Sequence, residues 1–167
     1  MAGTIAPATR DAARGFAAVR RCLDERGVDY EIGRHEPTDN ALAEARAYGA
    51  PAQRMVKTVA LKTAAGYVSA ALPASERLDL IRVRHLLDDR RIRLATEHEL
   101  VQNFPGLAAG AVPPFGHIAP PLELVDRQLL ACNWVLANGG DQRHSLRVSP
   151  LEIVRLARAR VVDIAQS

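Results

Sequence analysis

With 167 residues, 48% of them hydrophobic and 25% charged, the chain has the composition of one folded domain with room for a sizeable core. Aromatic residues make up only 4%, which argues against a reader of single-stranded nucleic acid by base stacking. The net charge of +3 permits an acidic partner without requiring one, and no apolar run approaches the roughly 20 residues of a membrane span.

Residues 1–9 read as a flexible lead-in without the charged stretch and apolar run of a secretory signal, so a cytosolic protein is expected. Over residues 10–26 the apolar positions Ala13, Phe16, Val19 and Leu23 recur at helical spacing, and Gly27 ends the helix. A short strand follows at 28–32. Pro37-Thr38-Asp39 resembles a helix start with Asp39 as the cap, and the helix runs over 41–48 to Gly49. The apolar runs 56–61 and 67–72, separated by Thr63-Ala64-Ala65-Gly66, predict a β-hairpin. After a turn at Pro73-Ala74-Ser75 come a helical stretch over 83–87 and a short strand at 92–94. Thr96 with Glu99, and Ser149 with Glu152, each fit a capping box, and Pro150 occupies a first helical position where its missing donor costs nothing. Strands are expected at 122–125, 134–137, 146–148 and 161–164. Interleaved strands and helices with hairpin neighbours predict an α/β fold: a mixed, mostly antiparallel sheet packed with helices, in one domain over 10–167.

Two pieces of the chain stand out chemically. Only two of its 22 basic side chains are lysines, Lys57 and Lys62, and Lys57 opens an apolar strand. A compact ammonium can touch a single oxygen in a tight pocket where a planar guanidinium cannot. The loop Gly106-Leu107-Ala108-Ala109-Gly110-Ala111-Val112-Pro113-Pro114-Phe115-Gly116 is built of small residues stiffened by prolines, so its backbone can approach a ligand closely. Other chemistry is thin. Gly139-Gly140 lacks the residues of a phosphate-cradling loop. The five histidines have no metal-ligand spacing, and no serine sits in a nucleophile elbow. Cys22 and Cys132 read as buried, inert thiols. Arginines such as Arg20, Arg21, Arg90, Arg91 and Arg93 form either a phosphate-attracting surface or a solvated face.

Six segments in order carry a resemblance: Val56-Lys57-Thr58; Leu72-Pro73-Ala74-Ser75-Glu76-Arg77-Leu78-Asp79-Leu80; Ile92-Arg93-Leu94-Ala95; Gly110 to Gly116; Asn138-Gly139-Gly140; and Leu146-Arg147-Val148-Ser149-Pro150-Leu151-Glu152-Ile153. With them the chain resembles the YbaK and prolyl-tRNA synthetase editing-domain family over residues 28–164. The resemblance implies a mixed sheet packed with helices, no metal or organic cofactor, and hydrolysis in trans of the ester joining a wrong amino acid to tRNA. It implies that Lys57 holds the phosphate side of the terminal adenosine. Backbone groups of the Gly110–Pro114 loop would position the ester carbonyl and the attacking water, making Lys57, Gly110 and Pro114 the catalytic set. Substrate binding would fall on Val112, Pro113, Phe115 and Gly116 in the loop and on Gly139, Gly140 and His144.

An ester is already activated, so orientation and backbone electrostatics can accelerate its hydrolysis without a covalent nucleophile. Small residues around Gly110 would leave a pocket for a small side chain and exclude larger ones, and the resemblance implies alanine, cysteine, serine or threonine there. Sieving by size separates one methylene by only about 1–3 kcal/mol, so exclusion of the cognate amino acid must be mainly steric. Two positions depart from the pattern: Pro113 stands where many relatives carry serine, and His144 either reaches the substrate or covers the pocket. Asp39 reads as a helix cap rather than an acid, and Thr58 as a strand residue rather than a substrate contact. The expected partners are aminoacyl-tRNA, alone or together with an aminoacyl-tRNA synthetase, with no membrane and a monomeric state. The alternative is a non-catalytic tRNA- or synthetase-binding module of the same fold, and a third is an enzyme acting on another small acyl ester.

Overall fold

The hairpin that the apolar runs predict is the longest antiparallel pairing among the described residues. In the computed structural model, which describes residues 6–107, 110–115 and 119–167, β2 (Val56–Thr63) pairs with β3 (Gly66–Pro73) from Val56 opposite Pro73 to Thr63 opposite Gly66. The tight turn leaves Ala64 and Ala65 at its tip. Thr63 Oγ1 donates to the Gly66 carbonyl at 3.1 Å and accepts from Ala65 N at 3.2 Å, while Asp89 accepts from Ala64 N at 2.8 Å.

Around this hairpin the strands divide into two sheets where the sequence predicted one. The larger runs in the order β4 (Arg93–Leu94), β2, β3, β5 (Leu122–Asp126), β8 (Arg160–Val162), antiparallel on the β4–β2–β3 side and parallel from β3 through β5 to β8. The smaller is antiparallel throughout, with β7 (His144–Val148) between β1 (Tyr30–Arg34) and β6 (Val135–Asn138). A single parallel bridge, Met55 to Leu136, joins the start of β2 to β6. Strand periodicity marks which residues pair but not which strands share a sheet, so the division is invisible along the chain.

Three apolar clusters hold the layers together. Val19 and Leu23 of α1 (Ala6–Glu25) and Ile153 of α5 (Pro150–Ala157) meet side chains from both sheets, among them Val56, Ala71, Val135 and Leu146. Val83 of α3 (Leu80–Leu86) packs with Leu61, Ala70, Leu124 and Ile164. Ala45 of α2 (Ala41–Tyr48) packs with Met55, Ala74 and Leu136 at the junction of the sheets. Gly33 of β1 lies so close to the Tyr48 ring that a β-carbon there would stand 2.1 Å from it, which seats α2 flush on the smaller sheet. Cys22 is buried and Cys132 partly buried, both as free thiols. No helix among the described residues is long and apolar enough to cross a membrane.

Several boundaries differ from the sequence expectation. Helix α1 opens at Ala6, so residues 6–9 are helical rather than part of the lead-in; Pro7 in the first turn gives up no helical hydrogen bond. Residues 1–5 lie outside the described residues. The cap of α2 is Asn40, whose side chain accepts from Ala43 N; Asp39 instead accepts from Asn40 Nδ2 at 2.9 Å. Helix α3 starts at Leu80 under an Asp79 cap, three residues ahead of expectation. Ser149 precedes α5 without a side-chain cap bond: Glu152 N donates to the Ser149 carbonyl at 3.1 Å, and the Glu152 carboxylate accepts from Arg155 Nε at 3.0 Å, so neither half of the expected capping box forms. Trp134 falls outside β6, and its ring is covered by Arg54 and Arg147 at 4.3 and 4.2 Å from its centroid.

At α4 (Glu97–Asn103) both halves of the capping box form, between Thr96 and Glu99. Glu99 is also held by Arg93 at 2.6 Å, and these donors lower its carboxyl from the ordinary 4.5 to about 2, Arg93 first and the Thr96 N–H next. A depressed carboxylate stabilises the fold fully above its unfolded value and loses that contribution as pH falls through the folded one. Carboxyl NMR titration is therefore expected to give a Glu99 midpoint near 2, and Arg93→Ala should move it back toward 4.5.

Candidate functional site

Beneath the loop that carries Gly110, the opening strand of the hairpin and the first turn of α2 enclose a cavity of about 280 Å³. Val56, Lys57, Thr58 and Val59 form one wall; Asp39, Asn40, Ala41 and Glu44 form another; Asn138 from the end of β6 and the loop residues Gly110 and Val112 complete it. A larger open groove of about 670 Å³ along α3 shares no residue with this cavity, being lined by Arg82, Arg84, His85 and Asp163 among others. The smaller cavity is the site of interest because it brings the singular lysine and the small-residue loop face to face.

Lys57 is half-buried at the entrance to β2, and its Nζ donates to the backbone carbonyl of Glu76. That carbonyl belongs to the turn after β3, which is fixed by Ala74 N donating to Met55 O at 2.8 Å and Glu76 N to Pro73 O at 2.9 Å. Burial lowers the Lys57 amine below its ordinary value, the nearby Arg77 charge adds to this, and Glu76 opposes it. One donor of the ammonium is committed, which leaves two for a ligand.

The carboxylate wall is a hydrogen-bonded cluster that no sequence motif announced. Glu44 is 2% exposed; its Oε1 accepts from Ser145 Oγ at 2.5 Å and its Oε2 from Asn138 Nδ2 at 3.0 Å. The His35 ring meets Ser145 Oγ at 2.9 Å and stands 3.9 Å from Glu44 Oε1. Burial pushes the Glu44 carboxyl up, and the Ser145 and Asn138 hydrogen bonds and the His35 charge draw it back. Among the strand residues that line the cavity, Thr58 has its Oγ1 buried without a hydrogen-bond partner. The only hint of Glu44 in the sequence is its setting among the small residues Ala41, Ala43 and Ala45, which let α2 lie close to a sheet.

Of the residues singled out from the sequence, Lys57, Gly110 and Val112 line this cavity. Pro114 and Phe115 line a separate groove of about 420 Å³ with Cys22, Phe104 and Leu122, and Pro113 is buried beside them. Gly139 and Gly140 form the turn between β6 and β7, where close packing forbids side chains: a β-carbon would stand 2.8 Å from the His144 carbonyl oxygen at Gly139 and 2.8 Å from the Gly15 backbone at Gly140. His144 is turned toward α1, stacked on Phe16 at 3.8 Å between ring centroids, with Nδ1 2.7 Å from Asp141 Oδ2. Gly116 lies outside the described residues. Among the described residues no group of three or more His, Cys, Asp or Glu side chains is disposed to hold a metal ion.

Residues 35–156 match the sequence profile of the aminoacyl-tRNA editing domain. The chain belongs to that family. Among solved structures it is similar to a candidate trans-editing enzyme for prolyl-tRNA synthetase, at 31% identity and a TM-score of 0.80, over 94% of this chain and 98% of the other. It is also similar to a scaffold protein from computational epitope backbone grafting, at 30% identity and a TM-score of 0.78, over 94% and 97% of the two chains. A third likeness is to the hypothetical protein APE2540, at 29% identity and a TM-score of 0.80, over 89% and 99%. A search of curated proteins gave no match.

In this editing domain Gly110 is the contact on which the shape of the cavity rests. Its φ is +68°, and a β-carbon would stand 1.7 Å from the Asp39 carbonyl oxygen. Gly27 has nearly the same φ, +65°, with nothing near its missing side chain. Gly27→Ala is therefore expected to cost only the left-handed backbone penalty of about 1–2 kcal/mol. Gly110→Ala must in addition push the loop off α2, and is expected to exceed that cost by at least about 1 kcal/mol. Parallel urea denaturation of the two variants measures the difference.

Proposed function

We propose that this editing domain hydrolyses, in trans, the ester that joins a small wrong amino acid to tRNA. The observation that carries the proposal is the shared cavity of Lys57 and the Gly110 loop, within a chain of the aminoacyl-tRNA editing family. The likeness to a candidate trans-editing enzyme for prolyl-tRNA synthetase supports action in trans.

In this reading the two uncommitted donors of Lys57 meet the phosphate side of the terminal adenosine. The ammonium is already oriented by the Glu76 carbonyl, so little freedom is lost when the nucleotide arrives. Backbone groups around Gly110 take the acyl carbonyl, and Pro114, seated in the adjoining groove, holds the loop in place. Water adds its oxygen to the acyl carbon, and the bond from that carbon to the ribose oxygen breaks. The departing ribose oxygen takes the proton, so that free amino acid and tRNA result. Backbone donors aimed at a developing oxyanion act without reorganisation, which suits a site lacking a side-chain nucleophile.

A cavity of about 280 Å³ lies at the small end of ligand sites. Together with Val112 on its wall, it suits alanine, cysteine, serine or threonine. The domain would work in the cytoplasm as a monomer without a cofactor, on aminoacyl-tRNA alone or beside a synthetase.

The test is a deacylation screen with tRNAs charged with alanine, cysteine, serine, threonine and proline. Wild type is expected to release one or more of the small amino acids selectively. Lys57→Ala should lower kcat/KM by about 100-fold or more with its thermal unfolding unchanged. Lys57→Arg should fare little better, because a planar fork does not replace a point charge there. Retained turnover in Lys57→Ala would remove the lysine from the mechanism. A folded wild type that binds tRNA but releases nothing would make the domain a binding module.

A further inference from the structure

An aminoacyl ester carries, one carbon from the bond to be cut, a primary ammonium. Lys57 and the loop backbone do not recognise that cation, yet it separates an aminoacyl-tRNA from a peptidyl- or N-formyl-aminoacyl-tRNA, in which the nitrogen is acylated and neutral. The cavity contains a group suited to it. Glu44 is the buried carboxylate among the lining residues, and only two of its acceptor positions are used, by Ser145 and Asn138. Both of these hydrogen-bond donors are neutral; the His35 ring, 3.9 Å from Oε1, is within ion-pair reach but gives that oxygen no hydrogen bond. A buried carboxylate held chiefly by neutral donors is poorly compensated, and a cation in the cavity would complete it. Thr58 lines the same cavity, and its buried Oγ1 has no hydrogen-bond partner.

We infer that Glu44 receives the α-ammonium of the aminoacyl group and restricts the enzyme to esters with a free amine. The inference rests on the deacylase reading and names the chemistry that reading left open: N-acylated tRNAs are spared because their nitrogen brings neither charge nor room. Asp39 is the other carboxylate on the cavity wall, but it is exposed to water and bonded to Asn40, so it offers a weaker field. Glu44 also ties α2 to β6 and β7, and a purely structural role would lower stability without altering which acyl group is preferred.

The experiment therefore reads preference rather than activity. Whichever of alanyl-, cysteinyl-, seryl- and threonyl-tRNA is released fastest is compared with its α-hydroxyacyl counterpart, in which a hydroxyl of similar size replaces the ammonium. Rates are corrected for spontaneous hydrolysis. Wild type is expected to show a KM for the aminoacyl form lower by about tenfold or more, the range of a charged hydrogen bond. In Glu44→Gln that ratio should fall close to one, through a raised aminoacyl KM with the hydroxyacyl KM unmoved, while Asp39→Asn keeps the wild-type ratio. If Glu44→Gln does not fold, Glu44→Asp withdraws the charge by one methylene and should raise the aminoacyl KM alone. A wild type without preference, a ratio that survives removal of the Glu44 charge, or a ratio that collapses in Asp39→Asn would each overturn the inference and leave the deacylase standing. Release of none of the four amino acids by wild type would overturn both.

Discussion

Glu44 sits where α2 meets the smaller sheet, and its two oxygens are taken by Ser145 of β7 and Asn138 of β6. Burying a carboxylate is costly unless it is hydrogen-bonded, so these three residues fix one another's positions as well as the helix. The same Asn138 accepts from Gly140 N at 2.7 Å and donates to the Asp141 carbonyl at 3.2 Å, which closes the β6–β7 turn. Asp141 in turn receives the backbone N–H groups of Arg143 and His144 and holds the His144 ring against Phe16 of α1. One buried carboxyl group thus links the chain from α1 to α2 through the hairpin between β6 and β7. Losing it would move a cavity wall and a helix together.

Against that wall stands the other half of the cavity, built by a different constraint. From the end of β3 at Pro73 the chain passes to the far edge of the larger sheet, where β4 pairs with β2, before β5 starts at Leu122 parallel to β3. A parallel return requires a long crossover, and the small-residue loop is part of that excursion. The loop is placed by contact rather than by pairing: Gly110 rests on the carbonyl of Asp39 at the head of α2. The Lys57 strand enters from below, bridged through Met55 to Leu136 of β6. Lysine, loop and carboxylate therefore meet at the junction of two sheets, where none of the three is near another in the chain.

Much of this was legible in advance, for local reasons. Helix α2, the β2–β3 hairpin and the Thr96–Glu99 capping box rest on periodicity and on interactions three or four residues apart, and they lie where the sequence put them. Lys57 and the Gly110 loop could be singled out because their residue types were unusual for their setting. Caps were harder. Asp39 and Asn40 are both good caps, and the helix takes Asn40, with extended backbone; at Ser149 the Glu152 N–H goes to the backbone carbonyl and the Glu152 carboxylate to Arg155. Glu44 escaped notice because its significance lies wholly in Asn138 and Ser145, about a hundred residues away. His144 and the glycines at 139 and 140 were legible as special, but the pressure on them comes from α1, with Gly15 and Phe16 as their neighbours.

The sequence by itself determined the α/β class, most of the elements, the family and two of the pieces that line the cavity. Each depends on residue type, spacing or order along the chain. Only the tertiary structure decided that the strands form two sheets, that Lys57 and Gly110 share one cavity while Pro114 lines another, and that a buried glutamate faces them. Those facts depend on which surfaces meet across long loops, and strand periodicity and local propensity carry no information about distant partners. The same holds for the burial of Glu44 and the unpartnered hydroxyl of Thr58, since the environment of a polar group is set by the neighbours that folding brings to it.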